Sequence, residues 1–262
     1  TGTVAATQNL VTAVNSAGVL VLDTVLEPLA AAEACLTADE RELGVLLVDV
    51  GGGTTEWMVY AHGAPRETGG IPVGGEHFTN DIAIGLRTPV WEAERLKRTY
   101  GCAGLRWLQQ DALVDVASSA ERPARVVSRR ALCEIFEARA CELFSLIREE
   151  LLRSGYERQL GAGVVLTGGG AQLEALPELA AQVLQLPARL GRPNGVLGQP
   201  QTLKSPAYAT AVGLVLHGNR IRQLRQQQNT GLLARLRNLW QRQGWVASEP
   251  TGKDLNWRQD PG

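Results

Sequence analysis

The chain has 262 residues, 44% of them hydrophobic, and a formal net charge of -1, the composition of a soluble globular protein with room for one large domain or two modest ones. A near-neutral total excludes a generic nucleic-acid binder, which carries a basic excess. Cys35, Cys102, Cys133 and Cys141 form no C-x-x-C pair and do not cluster with histidine, which argues against a metal centre or disulfide framework and for a cytosolic chain whose cysteines are small apolar residues.

Val4, Leu10, Val11 and Val14 predict a helix closed by Gly18. An extended run, Val19 to Leu26, and an alanine-rich helix, Leu29 to Leu36, follow, and the polar cluster Thr37 to Glu42 breaks the pattern. The apolar run Val45 to Val50 predicts a strand buried on both faces. Thr54 to Ala61 predicts a returning strand with a hairpin tip near His62-Gly63, and Thr68 to Val73 a further extended piece. Glu76 to Leu86 is predicted helical. Thr88-Pro89 fits an N-cap with proline at the first helical position of a helix Val90 to Tyr100. Residues 104–127 are mixed. Ser128 caps a long helix with Leu132, Ile135, Phe136, Leu143, Ile147 and Leu151 on one face, closed by Gly155. Gly163 to Leu166 predicts a second buried strand, Leu173 to Val183 a helix, 187–206 loops around a short strand, and Pro206 to His217 a small-residue helix. Residues 222–230 read as a polar linker, 231–243 as an amphipathic helix and 244–262 as disordered. No run reaches the roughly 18 apolar residues of a membrane span, and no signal peptide is visible. Thr1 opens on ordinary folded sequence, so the chain reads as a fragment.

Two segments carry chemistry. Asp49-Val50-Gly51-Gly52-Gly53-Thr54-Thr55 places three glycines after a buried strand. Such backbone can approach a ligand closely, and its successive N–H groups can cradle phosphate oxygens. Asp49, at the strand end, could hold Mg²⁺ through water; the alternative is a glycine-rich hairpin with an acid nearby. Leu166-Thr167-Gly168-Gly169-Gly170-Ala171 repeats the strand–glycine arrangement. Glu94 and Lys97 share a helix face and in isolation read as a surface salt bridge. Glu27-Pro28 reads as an extended residue before proline.

Asp-x-Gly-Gly-Gly-Thr-Thr resembles the second phosphate loop of the actin, Hsp70 and sugar-kinase superfamily, and Thr-Gly-Gly-Gly-Ala its adenosine loop. Leu26-Glu27-Pro28-Leu29-Ala30 looks like the first connecting segment. Ile71-Pro72-Val73-Gly74-Gly75-Glu76-His77-Phe78-Thr79-Asn80-Asp81-Ile82-Ala83, Gly85-Leu86-Arg87-Thr88-Pro89, Lys97-Arg98-Thr99-Tyr100-Gly101-Cys102 and Ser128-Arg129-Arg130 resemble the FtsA family of bacterial cell-division proteins in particular. The resemblance runs in order to about residue 218 and covers the C-terminal two-thirds of such a protein. It implies an α/β, actin-like ATPase: a ribonuclease H-like lobe with an inserted smaller α/β subdomain, and with the N-terminal part of the fold, including the first phosphate loop, missing. The implied division is 43–75 and 161–205 for the second-lobe core, 76–160 for the inserted subdomain, and 1–42 and 206–222 for the other lobe.

By the same resemblance the cofactors are ATP and Mg. Asp49 would position Mg²⁺; Gly51, Gly52, Gly53, Thr54 and Thr55 would hold the β- and γ-phosphates; Glu27 would orient the attacking water. Glu94 and Lys97 would contact ribose and adenine, Gly168, Gly169 and Gly170 would pack on adenosine, and Gly74, Gly75 and Asn80 would shape the cleft wall. Glu56 stands where the family more usually has aspartate. The implied protein polymerises, hydrolyses ATP slowly at most, ties the tubulin-like division ring (FtsZ) to the cytoplasmic face of the inner membrane at the division site, and recruits later division proteins. A superfamily kinase and an adaptor ATPase of pilus assembly are the alternatives.

From Arg220 to Arg242 the chain carries arginines and no acidic residue, which suits an anionic surface. At about 100° per residue, Leu232, Leu233, Leu236, Leu239 and Trp240 fall on one face, flanked by Arg235, Arg237 and Arg242. An apolar stripe bordered by arginines is what a helix lying on anionic membrane lipids needs. The alternative is a helix docked on the protein's own body.

Overall fold

The computed structural model describes residues 4–117 and 125–230, with side chains as far as 226. The predicted helix 231–243, with Leu232, Leu233, Arg235, Leu236, Arg237, Leu239 and Trp240, and the tail 244–262 lie outside the described residues. Residues up to His217 form one compact unit, and those from Gly218 a second.

Helix α1 (Val4–Ser16) stops short of Gly18, whose φ of 82° a side chain would resist. Val19 to Leu26, expected extended, joins neither sheet. Glu27 is not an extended residue before proline: Pro28 falls in the first turn, where its missing N–H costs nothing, so Glu27 opens α2 (Glu27–Cys35). The polar cluster after it is no break either. Thr37 and Glu40 exchange side-chain and backbone hydrogen bonds in a capping box that starts α3 (Ala38–Leu43).

Strand β1 (Val45–Val50) is buried along its whole length, as expected. It pairs antiparallel with β2 (Thr55–Ala61), which turns at His62-Gly63 into β3 (Ala64–Ile71). Both turn residues have positive φ, the two-residue geometry that suits strand twist. β4 (Leu113–Val116) and β5 (Arg125–Ser128) form a separate hairpin. β1 also pairs, parallel, with β6 (Gly163–Thr167), and β6 with β7 (Ala188–Leu190), giving the order β3-β2-β1-β6-β7.

The sheet is covered on both faces, and alternation along its strands decides which residue goes where. Leu46, Val48, Val50, Trp57, Val59, Val164 and Leu166 face one apolar cluster. Helices α4 (Gly75–Gly85), α5 (Val90–Tyr100), α6 (Arg129–Ser154) and α7 (Leu176–Leu184) supply its other side through Phe78, Leu96, Phe136, Phe144 and Leu179, among others. Val45, Leu47, Met58, Tyr60 and Val165 face the second cluster, under the alanines of α2 and the first turn of α8 (Ala209–Thr230). Small residues let these two helices lie close to the sheet.

Ser128 caps α6 by accepting the Ala131 N–H at 3.2 Å, and Gly155 ends it with φ 75°, both as predicted. Thr88 does not cap α5. Pro89 occupies the cap position, and the Thr88 hydroxyl donates instead to the Ala117 carbonyl at 2.6 Å, tying α5 to the end of β4. α7 begins later than expected because Gly170–Gln172 coils as a 3-10 turn and Ala175 takes φ 61°. The helix predicted to end at His217 runs on to Thr230, through the segment read as a linker. Glutamine and arginine are good helix formers, and a polar composition alone does not stop a helix. No helix among the described residues is long and apolar enough to cross a membrane.

Candidate functional site

Asp49, Glu56 and Thr167 are register partners across β2, β1 and β6. They continue the row that begins with the residues packed under α2 and α8, so they emerge at the carboxyl end of the parallel strands, where α/β sheets present ligand sites. Asp49 is only 5% exposed. Burial, then the nearby charges of Glu27 and Glu56, push its carboxyl up to about 6, while a hydrogen bond from the Thr210 hydroxyl (3.1 Å to Oδ2) pulls the other way. Glu56 is also raised, by burial and by Glu27. Three acids from three elements thus repel one another at one spot, the arrangement expected where a cation belongs. Among the described residues no group of three His, Cys, Asp or Glu side chains sits tightly enough to ligate a metal directly. Carboxylate oxygens are the donor type that Mg²⁺ takes through its own waters.

Both glycine turns meet here. The Gly51 N–H closes the first turn on the Thr54 carbonyl at 2.9 Å, and the Gly51 and Gly52 carbonyls accept the N–H groups of Gly75 and Glu76 at 2.9 and 2.7 Å. A Cβ on Gly74 would sit 2.6 Å from the Gly52 oxygen, so only glycine allows this approach. Gly52 and Gly53 are exposed, and a Cβ on Gly53 would meet nothing within 4 Å. The turn therefore has its rear fixed and its front open, as a phosphate cradle requires. Thr54 is exposed beside it. Thr55, expected to hold phosphate, is fully buried, and its hydroxyl is spent on the Val73 carbonyl at 2.7 Å. In the second turn a Cβ on Gly168 would lie 2.3 Å from Asp49 Oδ1, and one on Gly170 would lie 2.6 Å from Val50 Cγ1. Gly169 has room, with Ala207 Cβ at 3.9 Å.

Glu94 and Lys97 are more than a surface pair. Lys97 Nζ reaches the Gly75 carbonyl at 2.9 Å, the Thr79 hydroxyl at 2.7 Å and Glu94 at 2.6 Å, and Thr79 donates to Glu94 at 2.6 Å. Burial works to raise the Glu94 carboxyl, but Lys97, Thr79 and Arg98 together outweigh it and hold the carboxyl down at about 2. The pair thus stands at the start of α4, next to the first glycine turn. Asn80 is exposed one residue beyond Thr79, about 100° further round the helix.

Four contributors were not singled out from sequence. Thr79 and His77 lie inside the resembling stretch; His77 Nδ1 accepts the Gly74 N–H at 3.1 Å. Thr167 is fully buried and bonds across to the Gly191 and Pro206 carbonyls. Thr210 had no local signal at all. The cysteines are all free, and three are buried. Burial pushes the thiols of Cys35 and Cys133 up to about 11 and about 12, so they are apolar filler, as expected.

Residues 46–213, which contain this arrangement from Asp49 to Thr210 but not Glu27, match the family model described as cell division protein FtsA. The chain is 46% identical over 213 residues to the cell division protein FtsA of Pseudomonas aeruginosa, covering 81% of this chain and 51% of that protein. It is 37% identical over 252 residues to that of Neisseria meningitidis, covering 90% and 60%. The chain thus spans little more than half the length of these relatives. Its fold is similar to that of MreB5 of Spiroplasma citri bound to ADP, with a TM-score of 0.68 and 18% identity over 88% of this chain and 69% of that one. On the extent of the family match and the identity to these relatives, the chain belongs to the FtsA family of cell-division proteins.

Proposed function

We propose that this chain supplies the second nucleotide-gripping lobe of an ATP-binding, actin-like cell-division protein. That protein would polymerise, tie the tubulin-like FtsZ ring to the cytoplasmic face of the membrane at the division site, and recruit later division proteins. The observation that carries the reading is the meeting of both glycine turns at one buried acid, Asp49, in a chain of this family. Family membership and the actin-like fold, shared with a protein described as bound to ADP, support it.

In this reading Gly51, Gly52, Gly53 and Thr54 receive the β- and γ-phosphates, with Thr55 fixing the turn from behind. Gly168, Gly169 and Gly170 pack on adenosine, Glu94 and Lys97 contact ribose and adenine, and Gly74, Gly75 and Asn80 form the wall. Bound Mg²⁺ would supply charge neutralisation for the phosphates, with Asp49 holding it through water and Glu27 orienting the attacking water. Residues 43–75 and 161–205 would be the lobe's core and 76–160 its inserted subdomain. Residues 1–42 and 206–222 would belong to the other lobe, whose remainder would carry the first phosphate loop. Hydrolysis would be slow and regulatory. Calorimetric titration of the full-length protein with ATP and Mg²⁺ tests the proposal. Asp49→Ala should abolish measurable binding, and an unchanged affinity would overturn the nucleotide reading.

A further inference from the structure

The acid at the centre of the site has a single partner among the described side chains. Asp49 Oδ2 accepts the Thr210 hydroxyl at 3.1 Å, and Oδ1 lies against Gly168, where a Cβ would come within 2.3 Å. The carboxylate thus has a donor on Oδ2 and the Gly168 backbone beside Oδ1, in a space that only glycine leaves open.

The donor is itself held. A Cβ on Gly213 would fall 1.8 Å from the Ala30 carbonyl oxygen, so α8 and α2 cross in backbone contact at Gly213 and Ala30. Glu27 lies three residues before Ala30, and Thr210 three residues before Gly213. One turn before the crossing on each helix stand the two groups that act on Asp49: Thr210, which bonds it, and Glu27, whose charge adds to burial in raising its carboxyl. The crossing is a register device: it delivers both groups to the site at once. Ahead of α8, the Pro206 carbonyl accepts the Thr167 hydroxyl and the Gly168 N–H at 3.4 and 3.3 Å, which ties the helix entry to the second glycine turn.

We propose that Thr210 is a positioning residue, setting the Asp49 carboxylate for the hydrated magnesium that accompanies a bound nucleotide; this rests on the nucleotide reading above. A carboxylate that must bond ordered water has to present its lone pairs in a fixed direction. Thr210 is the group that fixes it, and it needs no contact with the nucleotide.

The test is calorimetric titration of the full-length protein with ATP, once with Mg²⁺ and once with EDTA. Thr210→Val keeps the size of the side chain and removes the donor. The expected result is an affinity for MgATP about ten-fold lower, the size of one hydrogen bond to a charged group, with metal-free ATP binding kept within about two-fold. Thr210→Ser should restore MgATP binding. An equal loss with and without metal means that Thr210 serves packing only and overturns the proposal, as does an unchanged MgATP affinity. Thr210→Ala, which cannot overpack the site, is the second variant should Thr210→Val fail to fold. Asp49→Ala measured in parallel separates the two claims. If it binds MgATP like the parent, the nucleotide reading itself falls; if it loses MgATP while Thr210→Val does not, only the positioning role falls.

Discussion

Asp49 stands against folding stability. Its carboxyl is buried and surrounded by like charge, and its pKa rises from the ordinary 3.8 to about 6 in the folded chain. A folded pKa above the unfolded one means that the folded state binds the proton more tightly. The cost is absent below about pH 4, grows as pH rises toward 6, and is fully present at neutral pH, where it amounts to about 3 kcal/mol at most. Asp49→Asn should therefore raise the melting temperature of the nucleotide-free protein in EDTA at pH 7.5. The gain should shrink toward pH 4.5, and thermal melts at the two values check it. No gain at pH 7.5 would mean that water or a side-chain movement already relieves the charge. At this scale the sequence was partly legible. Asp49 and the glycines are visible because acid and glycine run follow a buried strand. Thr210 is not, because its partner lies far away in sequence and a threonine in an alanine-rich helix start has no distinguishing pattern. Thr55 misled for the same reason: two adjacent threonines look alike, and alternation turns one inward to Val73 and leaves the other at the surface.

Among elements, strands were easier to read than helix limits. β1 and β6 are largely apolar runs closed by glycine, and both the pattern and its punctuation are local. α3 was hidden because four of its six residues are charged, and only the Thr37–Glu40 capping box marks it. The far end of α8 was misplaced because its glutamine-rich run reads as a linker, whereas the helix continues through Gly218 to Thr230. The α2–α8 crossing allows a prediction whose sign is decided by magnitude. Gly213→Ala gains about 1 kcal/mol of helix propensity. The added Cβ, 1.8 Å from the Ala30 oxygen, cannot be accommodated without moving one helix backbone, and overpacking of this kind costs about 1–3 kcal/mol or more. Chemical denaturation should show a net loss of stability; a more stable variant would mean that the two helices separate freely.

For the whole molecule, the fold class was legible through the family resemblance carried by the two glycine motifs and by the stretches Ile71 to Ala83 and Gly85 to Pro89. The partners are a matter for the tail, read from sequence alone. We propose that residues 231–243, which lie outside the described residues and are predicted from sequence to place Leu232, Leu233, Leu236, Leu239 and Trp240 between arginines, would be a marginal membrane anchor singly and a firm one in many copies. An artificially dimerised form of the chain should pellet with anionic liposomes, and Trp240→Glu should abolish pelleting. Co-sedimentation checks this, and failure of the unsubstituted dimer to pellet would assign the helix to a contact with protein instead.

The first glycine turn is bonded through Gly51 and Gly52 to the leading N–H groups of α4, and Lys97 of α5 is bonded to that same end through the Gly75 carbonyl. Turn and helix are consequently coupled by backbone hydrogen bonds at the joint. The helix's far end, about 15 Å away along 11 residues, is Gly85, beside Ile84, which is 76% exposed. A displacement of the turn by whatever occupies it would pass into α4 and, through the Asp81–Arg139 ion pair, into α6 before reaching that tip. A binding partner there could sense what fills the cleft without ever touching it.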